Sequence, residues 1–440
     1  MLNVKFEGSL LSKEVTSAPV RGWSQFTLIS FRFGFPYLIL TSLFWIFEFA
    51  DRRTARLAKP LNALWRPLVH WVAAHVFHIA GTVEPSFVRD TRYLYVLLFC
   101  FAALSAMTAL LWSILDRQRT QYETLHDWLR TFIRYVLAFL LLNYAMYKIF
   151  LVQFPGPSLA QLTERFGDYS PTSLMWAFIG SSLTYTMFAG VAEIMAAVPL
   201  LFRKTTTLGA LITFTVTFNI TIMDFSYDVS VKMLCVHILV MALFLLLPDT
   251  TRLINFFLLN RATEPTQIHA PLTTKKWPLI ATAARVCVLL YLFLQLPIHD
   301  WHVYKQNGAG APRSPLYGLY QVNEFVLAGV TRPPLITDSI RWRYVVLDAP
   351  NTIVIKQMDE TLATYRMTYD AQRQEIHFTS TPEAPGESVL KVSRPDGNEM
   401  DLNGTFLGSA VQARLTRVDA SSFTLVSRGF HWISETSFLR

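Results

Sequence analysis

Cysteine is scarce: three thiols, Cys100, Cys235 and Cys287, stand in 440 residues, each inside an apolar stretch and none at a C-x-x-C spacing. That pattern excludes a disulfide framework, a zinc knuckle and a dithiol redox pair. Charge is thin as well, 16% of residues against 52% hydrophobic, with mean hydropathy +0.32. A soluble core does not need that much apolar surface, so much of the chain reads as membrane-embedded. Catalytic fingerprints are missing: there is no H-E-x-x-H, no G-x-S-x-G and no Walker loop. Gly308 and Gly310 lack the strand and helix that a phosphate cradle requires. No cofactor is firmly implied. Residues 1–25 are polar and mixed, without the basic start and short apolar core of a removable signal peptide.

The net charge of +8 and the pI near 9.3 do not point to nucleic acid, because Lys and Arg gather in short loops beside apolar runs. There they act as topology signals. A window of roughly 20 residues finds spanning helices at 26–49, 93–115, 132–154, 174–202, 208–225, 229–247 and 278–298. This makes seven, or eight if the amphipathic stretch 61–81 crosses; its Trp65, Trp71 and three histidines favour an interfacial or re-entrant helix. Arg32 and Glu48 sit near the two ends of the first span, where long side chains snorkel. With the basic loops at 117–119, 203–204 and 252–276 inside, everything after His299 falls on the outer, periplasmic face of a bacterial inner membrane.

From Pro312 the pattern changes to short alternating segments about every ten residues, separated by Asp-Glu, Asp-Gly, Asn-Gly and Pro-bearing turns. Nine segments, from 317–329 to the SFTLVSRGF stretch at 422–430, predict an antiparallel meander of eight or nine strands, closed as a small lipocalin-like barrel or sandwich. The chain thus divides into a polar segment 1–25, N-terminal membrane helices 26–129, a four-helix core 130–260, a loop and last span 261–298, a linker 299–315 and an extracytoplasmic β-domain 316–440. The fold class is an α-helical polytopic membrane protein with a C-terminal all-β domain.

Polar residues inside the core spans carry the functional signal, since an ionisable group in hydrocarbon is costly and faces a partner or a cavity. Arg134 and Lys148 lie two heptads apart, about 40° around the axis and so on one face, with Tyr144 one turn before Lys148. Glu193 follows Tyr185 and Ala189 on one helical stripe, and Gly190 permits close helix approach. The spacing predicts a Lys148–Glu193 ion pair. Asn219, Asp224, Asp228 and His237, on the next two helices, line a polar cavity if they converge, with Tyr144, Phe150, Trp176 and Phe218 as candidate walls. Three readings stay open: a structural ion pair, a pocket for a quinone or another amphiphile, and proton or ion translocation. His75 and His78 are one turn apart but no carboxylate joins them at ligand spacing, so no metal is expected there.

Arg134, the NYAMYK run at 143–148, FAGVAEI at 188–194 and RKTTTLGAL at 203–211, with Asn219 and His237 beyond, resemble the four-helix core of DoxX-type membrane proteins. The resemblance covers residues 130–247, about a quarter of the chain. It implies an accessory membrane component of a redox or oxidative-stress system; the related DoxD-type subunit is associated with thiosulfate oxidation coupled to quinone. No catalytic role transfers to Arg134, Lys148, Glu193, Asn219 or His237. Vitamin-K-dependent carboxylase-like proteins share the joining of helices to an extracytoplasmic β-rich part, which would cast Lys148 or His237 as a base. The partners expected are the bilayer, a quinone or lipid ligand and a redox protein. The competing class is a non-enzymatic scaffold whose β-domain binds a partner or an apolar ligand.

Overall fold

Backbone in hydrocarbon must satisfy its own hydrogen bonds, so the long apolar runs fold as helices. A computed structural model describes residues 22–54, 58–81, 83–84, 89–264, 282, 286, 288–308, 310–349, 351–379, 388–394, 397–436 and 438. Six helices among the described residues are long and apolar enough to cross a membrane. They lie within α1 (Gln25–Thr54), α3 (Arg92–Leu115), α4 (Glu123–Ile149), α6 (Leu183–Leu200), α7 (Thr206–Ser226, with the preceding turn) and α8 (Lys232–Leu246, continued into α9, Thr250–Phe257). The amphipathic stretch is the helix α2 (Ala58–His75) and is not among the six. Of the expected last span, 278–298, residues 278–281, 283–285 and 287 lie outside the described residues; helical backbone is described from Val288 through α10 (Leu296–Asn307). The chain forms two compact units, 1–136 with 247–273 and 137–246 with 274–440, the division falling inside α4.

Two helix limits correct the sequence reading. The expected span 174–202 is two helices, α5 (Pro171–Gly180) and α6, because Ser181 and Ser182 turn the backbone out of the helix. Ser182 caps α6 by accepting from the Tyr185 amide, and the Ile179 carbonyl at the break accepts from the Ser182 amide at 3.3 Å and from the buried Thr186 hydroxyl at 2.9 Å. A Cβ on Gly180 would lie 2.2 Å from the Pro155 carbonyl oxygen, so only glycine lets this corner close. The second limit is at α4, which stops at Ile149 rather than Phe154: Leu151 takes a left-handed conformation (φ 53°) and the chain leaves the helix.

Arg32 does not snorkel freely. It is 5% exposed, and its guanidinium donates to the Tyr122 hydroxyl, the Ser113 hydroxyl and the Asp116 carbonyl within its own unit. This is a satisfied structural cation.

The C-terminal strands form one antiparallel sheet in the order β2-β1-β3-β4-β5-β6-β7-β8-β9, closed by pairing of β1 (Gly318–Leu327) with β9 (Ser409–Val418). β2 (Val330–Thr331) is a short hairpin arm. The remaining strands, β3 (Trp342–Leu347), β4 (Thr352–Gln357), β5 (Leu362–Asp370), β6 (Glu375–Phe378), β7 (Ser388–Ser393) and β8 (Glu399–Phe406), complete an eight-stranded up-and-down barrel. Alternation puts Tyr320, Phe325, Trp342, Ile355, Met400 and Leu415 inward, and Trp342 meets Phe325 and Phe406 at 5.2 and 5.1 Å. Side chains fill the barrel.

Two turn expectations change. The SFTLVSRGF segment is not a strand: it carries a 3-10 turn (Ala420–Ser422) and a short helical turn (Thr424–Ser427). Asn403–Gly404 is not a turn either but lies within β8, where a Cβ on Gly404 would come 2.1 Å from the Val389 carbonyl oxygen. The β8–β9 hairpin instead turns at Leu407 and Gly408, both at positive φ (48° and 79°), as a two-residue turn of the primed kind demands.

One outer flank of the barrel is buried by the loop between α4 and α5. Leu159 packs on the outward-facing Leu319 and Val346, and its amide donates 2.9 Å to the Asp348 carboxylate. Beside it, Lys356 (1% exposed) reaches the Thr163 carbonyl and lies 2.5 Å from Glu360, which also receives Arg165 and Arg343. Burial alone would raise the Glu360 carboxyl, but Lys356 and Arg165 hold it below the usual glutamate value.

Candidate functional site

The close approach of α4 and α6 creates the site. Gly190 puts α6 against α4 so tightly that a Cβ there would lie 3.0 Å from the Ala145 carbonyl oxygen. One turn on from each contact, Lys148 and Glu193 face one another, with the ammonium donating 2.8 and 3.0 Å to the two carboxylate oxygens. Their side chains are 7% and 3% exposed. The ammonium also lies 5.2 Å from the Tyr144 ring and 5.9 Å from that of Phe154, near enough for the ring faces to help replace lost hydration. This is the ion pair the spacing predicts.

The pair lines a cavity of about 410 Å³ within the second compact unit, within the size range of ligand pockets. Tyr144, Phe154, Trp176 and Met175 supply apolar walls, and Asn219, Asp224 and Cys235 add polar groups from α7 and α8. The Cys235 thiol donates 3.1 Å to the buried Asp224 carboxylate. Trp176 is held by an indole hydrogen bond of 3.0 Å to the Gln153 carbonyl and by its contact with Phe154 at 5.0 Å.

Two oxygens on the cavity wall have no partner. The Gln153 Oε1 and the Thr217 Oγ1 are both buried and unbonded among the described residues, and both residues line the cavity. Thr217 is 2% exposed. A buried hydrogen-bonding group without a partner costs about 1–3 kcal/mol, which a bound polar atom would recover.

The structure thus gathers Tyr144, Lys148, Glu193, Asn219 and Asp224 around one cavity, and sequence reasoning had missed Gln153, Thr217 and Cys235 there. Gln153 was hidden because it lies beyond the helix end, on a loop whose course periodicity does not encode. Other candidates lie elsewhere. His237 is buried but does not line the cavity, and its Nδ1 meets the Met233 carbonyl at 2.6 Å. Arg134 is buried, with its guanidinium 5.8 Å from the Tyr135 ring, and is not on the cavity wall. Asp228 sits in the turn after α7 at positive φ (51°), largely exposed, 2.9 Å from Lys232. Phe150 packs on Trp301, and Phe218 is exposed and stacked on Phe214. His75 stacks on Trp71 and its Nδ1 meets the Trp71 carbonyl, while His78 stands in the following loop at positive φ (52°). Among the described residues no three His, Cys, Asp or Glu side chains are grouped to hold a metal ion.

A second cavity, of about 550 Å³, lies in the first compact unit and is lined by His126 and by the charged Arg130, Asp249 and Arg252, among others. The buried Asp249 stands 3.9 Å from Arg130 and 3.8 Å from Arg252, so its charge is compensated within the wall.

No protein-family model and no solved structure matches the chain. It is similar to the uncharacterized protein YwoB of Bacillus subtilis (strain 168), with 33% identity over 124 residues, covering 28% of this chain and 79% of that protein.

Proposed function

The chain belongs to the family of the uncharacterized protein YwoB, and from the geometry of its cavity we propose that its membrane core binds an amphiphilic small molecule with a hydrogen-bonding ring head, a quinone, as an accessory component of a membrane redox system. The observation that carries this reading is the pair of partnerless oxygens, Gln153 Oε1 and Thr217 Oγ1, on an aromatic-walled cavity that also holds a buried ion pair. The two groups suit both oxidation states of such a head. The Thr217 hydroxyl is free to donate to a quinone carbonyl, and Gln153 Oε1 accepts from a quinol hydroxyl. Conversion of quinone to quinol takes up two electrons and two protons; the electrons come from a redox protein partner, and Lys148, Glu193 and the Asp224–Cys235 pair are the protonatable groups beside the head. The DoxX-like motifs at 143–148, 188–194 and 203–211 support the same assignment. Lys and Arg placement supports an inner-membrane location with the barrel on the periplasmic face.

Mass spectrometry of small molecules extracted from the purified protein tests this. A quinone carried by wild type and lost from both Lys148→Ala and Glu193→Ala is the expected result; a wild-type protein that carries none, even after loading with quinone, rejects the site. The scaffold reading retains one specific support, the exposed Phe430, Trp432 and Ile433 beyond the barrel (84%, 88% and 73%), which suit a partner surface.

A further inference from the structure

We infer that the ligand of the helical cavity is lipid-tailed and enters sideways from the bilayer, through a window between α6 and α7; this rests on the reading of that cavity as a ligand site. The two helices form a hairpin pinned at its 201–205 turn, where a Cβ on Gly209 would lie 2.8 Å from the Leu200 amide nitrogen. The cavity-lining residues avoid that pinned end. On α6 they run from Tyr185 to Glu193 and on α7 from Thr215 to Asp224, in the half of the hairpin remote from the turn.

The rim of this half faces outward. Tyr185 and Phe188 are 42% and 63% exposed on α6, and Thr215 and Asn219 are exposed on α7, although all four line the cavity. Since both helices are long and apolar enough to cross a membrane, those side chains meet acyl chains, so the opening is to lipid rather than to water. Asn219 is the informative member. A carboxamide on a lipid-facing surface is costly, and that of Asn219 makes no hydrogen bond to another described residue, whereas neighbouring Thr215 hides its hydroxyl on the Leu211 carbonyl at 3.0 Å. A polar group at the sill of an apolar window gives a polar head a first partner as it leaves the bilayer, before it reaches the partnerless Thr217 hydroxyl on the buried part of the cavity wall. The tail then stays between Tyr185, Phe188 and the membrane. A free, water-soluble head would need no such door.

The test uses the full chain in lipid nanodiscs and two probes: a benzoquinone carrying a ten-carbon tail and the same ring without a tail. Binding is measured for wild type, Asn219→Phe and Ala189→Phe, which crowd the window from opposite helices; Asn219→Phe places an apolar ring where lipid already lies, and a cooperative thermal transition followed by circular dichroism reports that each variant is folded. The expected result is that in both variants the tailed probe weakens at least tenfold more than the head-only probe. Equal retention of both probes, or equal loss of both in Asn219→Phe, overturns the side door while leaving a ligand site in place. Wild type that binds neither probe removes the site reading itself, and the window with it.

Discussion

Two buried Lys–Glu pairs occur in the second compact unit, and they teach different lessons. Lys356 and Glu360, on the barrel flank, are surrounded by groups that complete them: the Thr163 carbonyl on one side, Arg165 and Arg343 on the other. Lys148 and Glu193, in the helices, hydrogen-bond only each other among the described residues, and beside them lies an open cavity with two partnerless oxygens. Burial and ion pairing are common to both, so neither identifies a site. What separates them is space and unmet hydrogen bonding. The first pair fastens the α4–α5 loop to the barrel; the second has room for something else.

The strongest way to break this contrast is to make the same cut in each pair. Glu360→Ala leaves the Lys356 ammonium, with its side chain 2% exposed, without its carboxylate, and the cost expected is about 3–5 kcal/mol. Glu193→Ala leaves Lys148 beside a cavity of about 410 Å³ in which its side chain has room to move, with the Tyr144 and Phe154 rings still near the ammonium, so its cost is expected to be clearly smaller. Thermal unfolding of the full chain in detergent, followed by circular dichroism, measures both. Equal losses would erase the distinction between a sealed pair and an open one.

Acid sharpens the same comparison with a somewhat smaller effect. The Glu360 carboxyl is held below its ordinary value of 4.5, so its stabilisation is fully present above that pH and is lost as pH falls through the lowered folded value. Glu360→Gln removes that ionisation and the charge on its hydrogen bonds, at a cost of about 1.5–3 kcal/mol at neutral pH. The gap between wild type and Glu360→Gln is expected to narrow below pH 4.5; a gap that stays constant down to about pH 3 would show that the charge plays no part in fastening the loop.

Gly190→Val tests what brings the helical pair together. With a Cβ already 3.0 Å from the Ala145 carbonyl oxygen, the two extra methyl groups force α4 and α6 apart, at about 1–3 kcal/mol. The same displacement lengthens the Lys148–Glu193 contact, so quinone carriage is expected to fall along with stability. Retained carriage with reduced stability would separate the ion pair from the ligand.

The Lys148–Glu193 pair was legible in the sequence because helical spacing and a small residue at Gly190 suffice to predict it. The barrel was legible for a similar reason: alternation with turns every ten residues leaves few other folds, although Asn403–Gly404 misled because a strand glycine required by the Val389 carbonyl looks like a hairpin turn. The α5–α6 break was missed because two serines hardly lower the hydropathy of a long window, while their capping hydrogen bonds decide the backbone. The latch on Lys356 depends on a loop carbonyl, Thr163, far away in sequence, which no local pattern can announce.

Thr217 is the sharpest instance, and its substitution is expected to have the smallest effect on stability and a selective effect on the ligand. Its neighbours one turn away behave as membrane threonines usually do: Thr213 donates 2.7 Å to the Gly209 carbonyl and Thr221 2.7 Å to the Thr217 carbonyl. Thr217 alone of this stripe keeps its hydroxyl unbonded against the cavity, a difference invisible in the sequence. Thr217→Val therefore removes no internal hydrogen bond and is expected to leave the melting temperature unchanged or slightly raised. Loss of one neutral hydrogen bond to a bound head, about 1 kcal/mol, weakens binding roughly fivefold. Thr213→Val gives the opposite pattern, a small loss of stability with binding intact. If the two valine variants bind the quinone equally well, the partnerless hydroxyl is an accident of packing, and the cavity's polar wall loses its claim to a ligand.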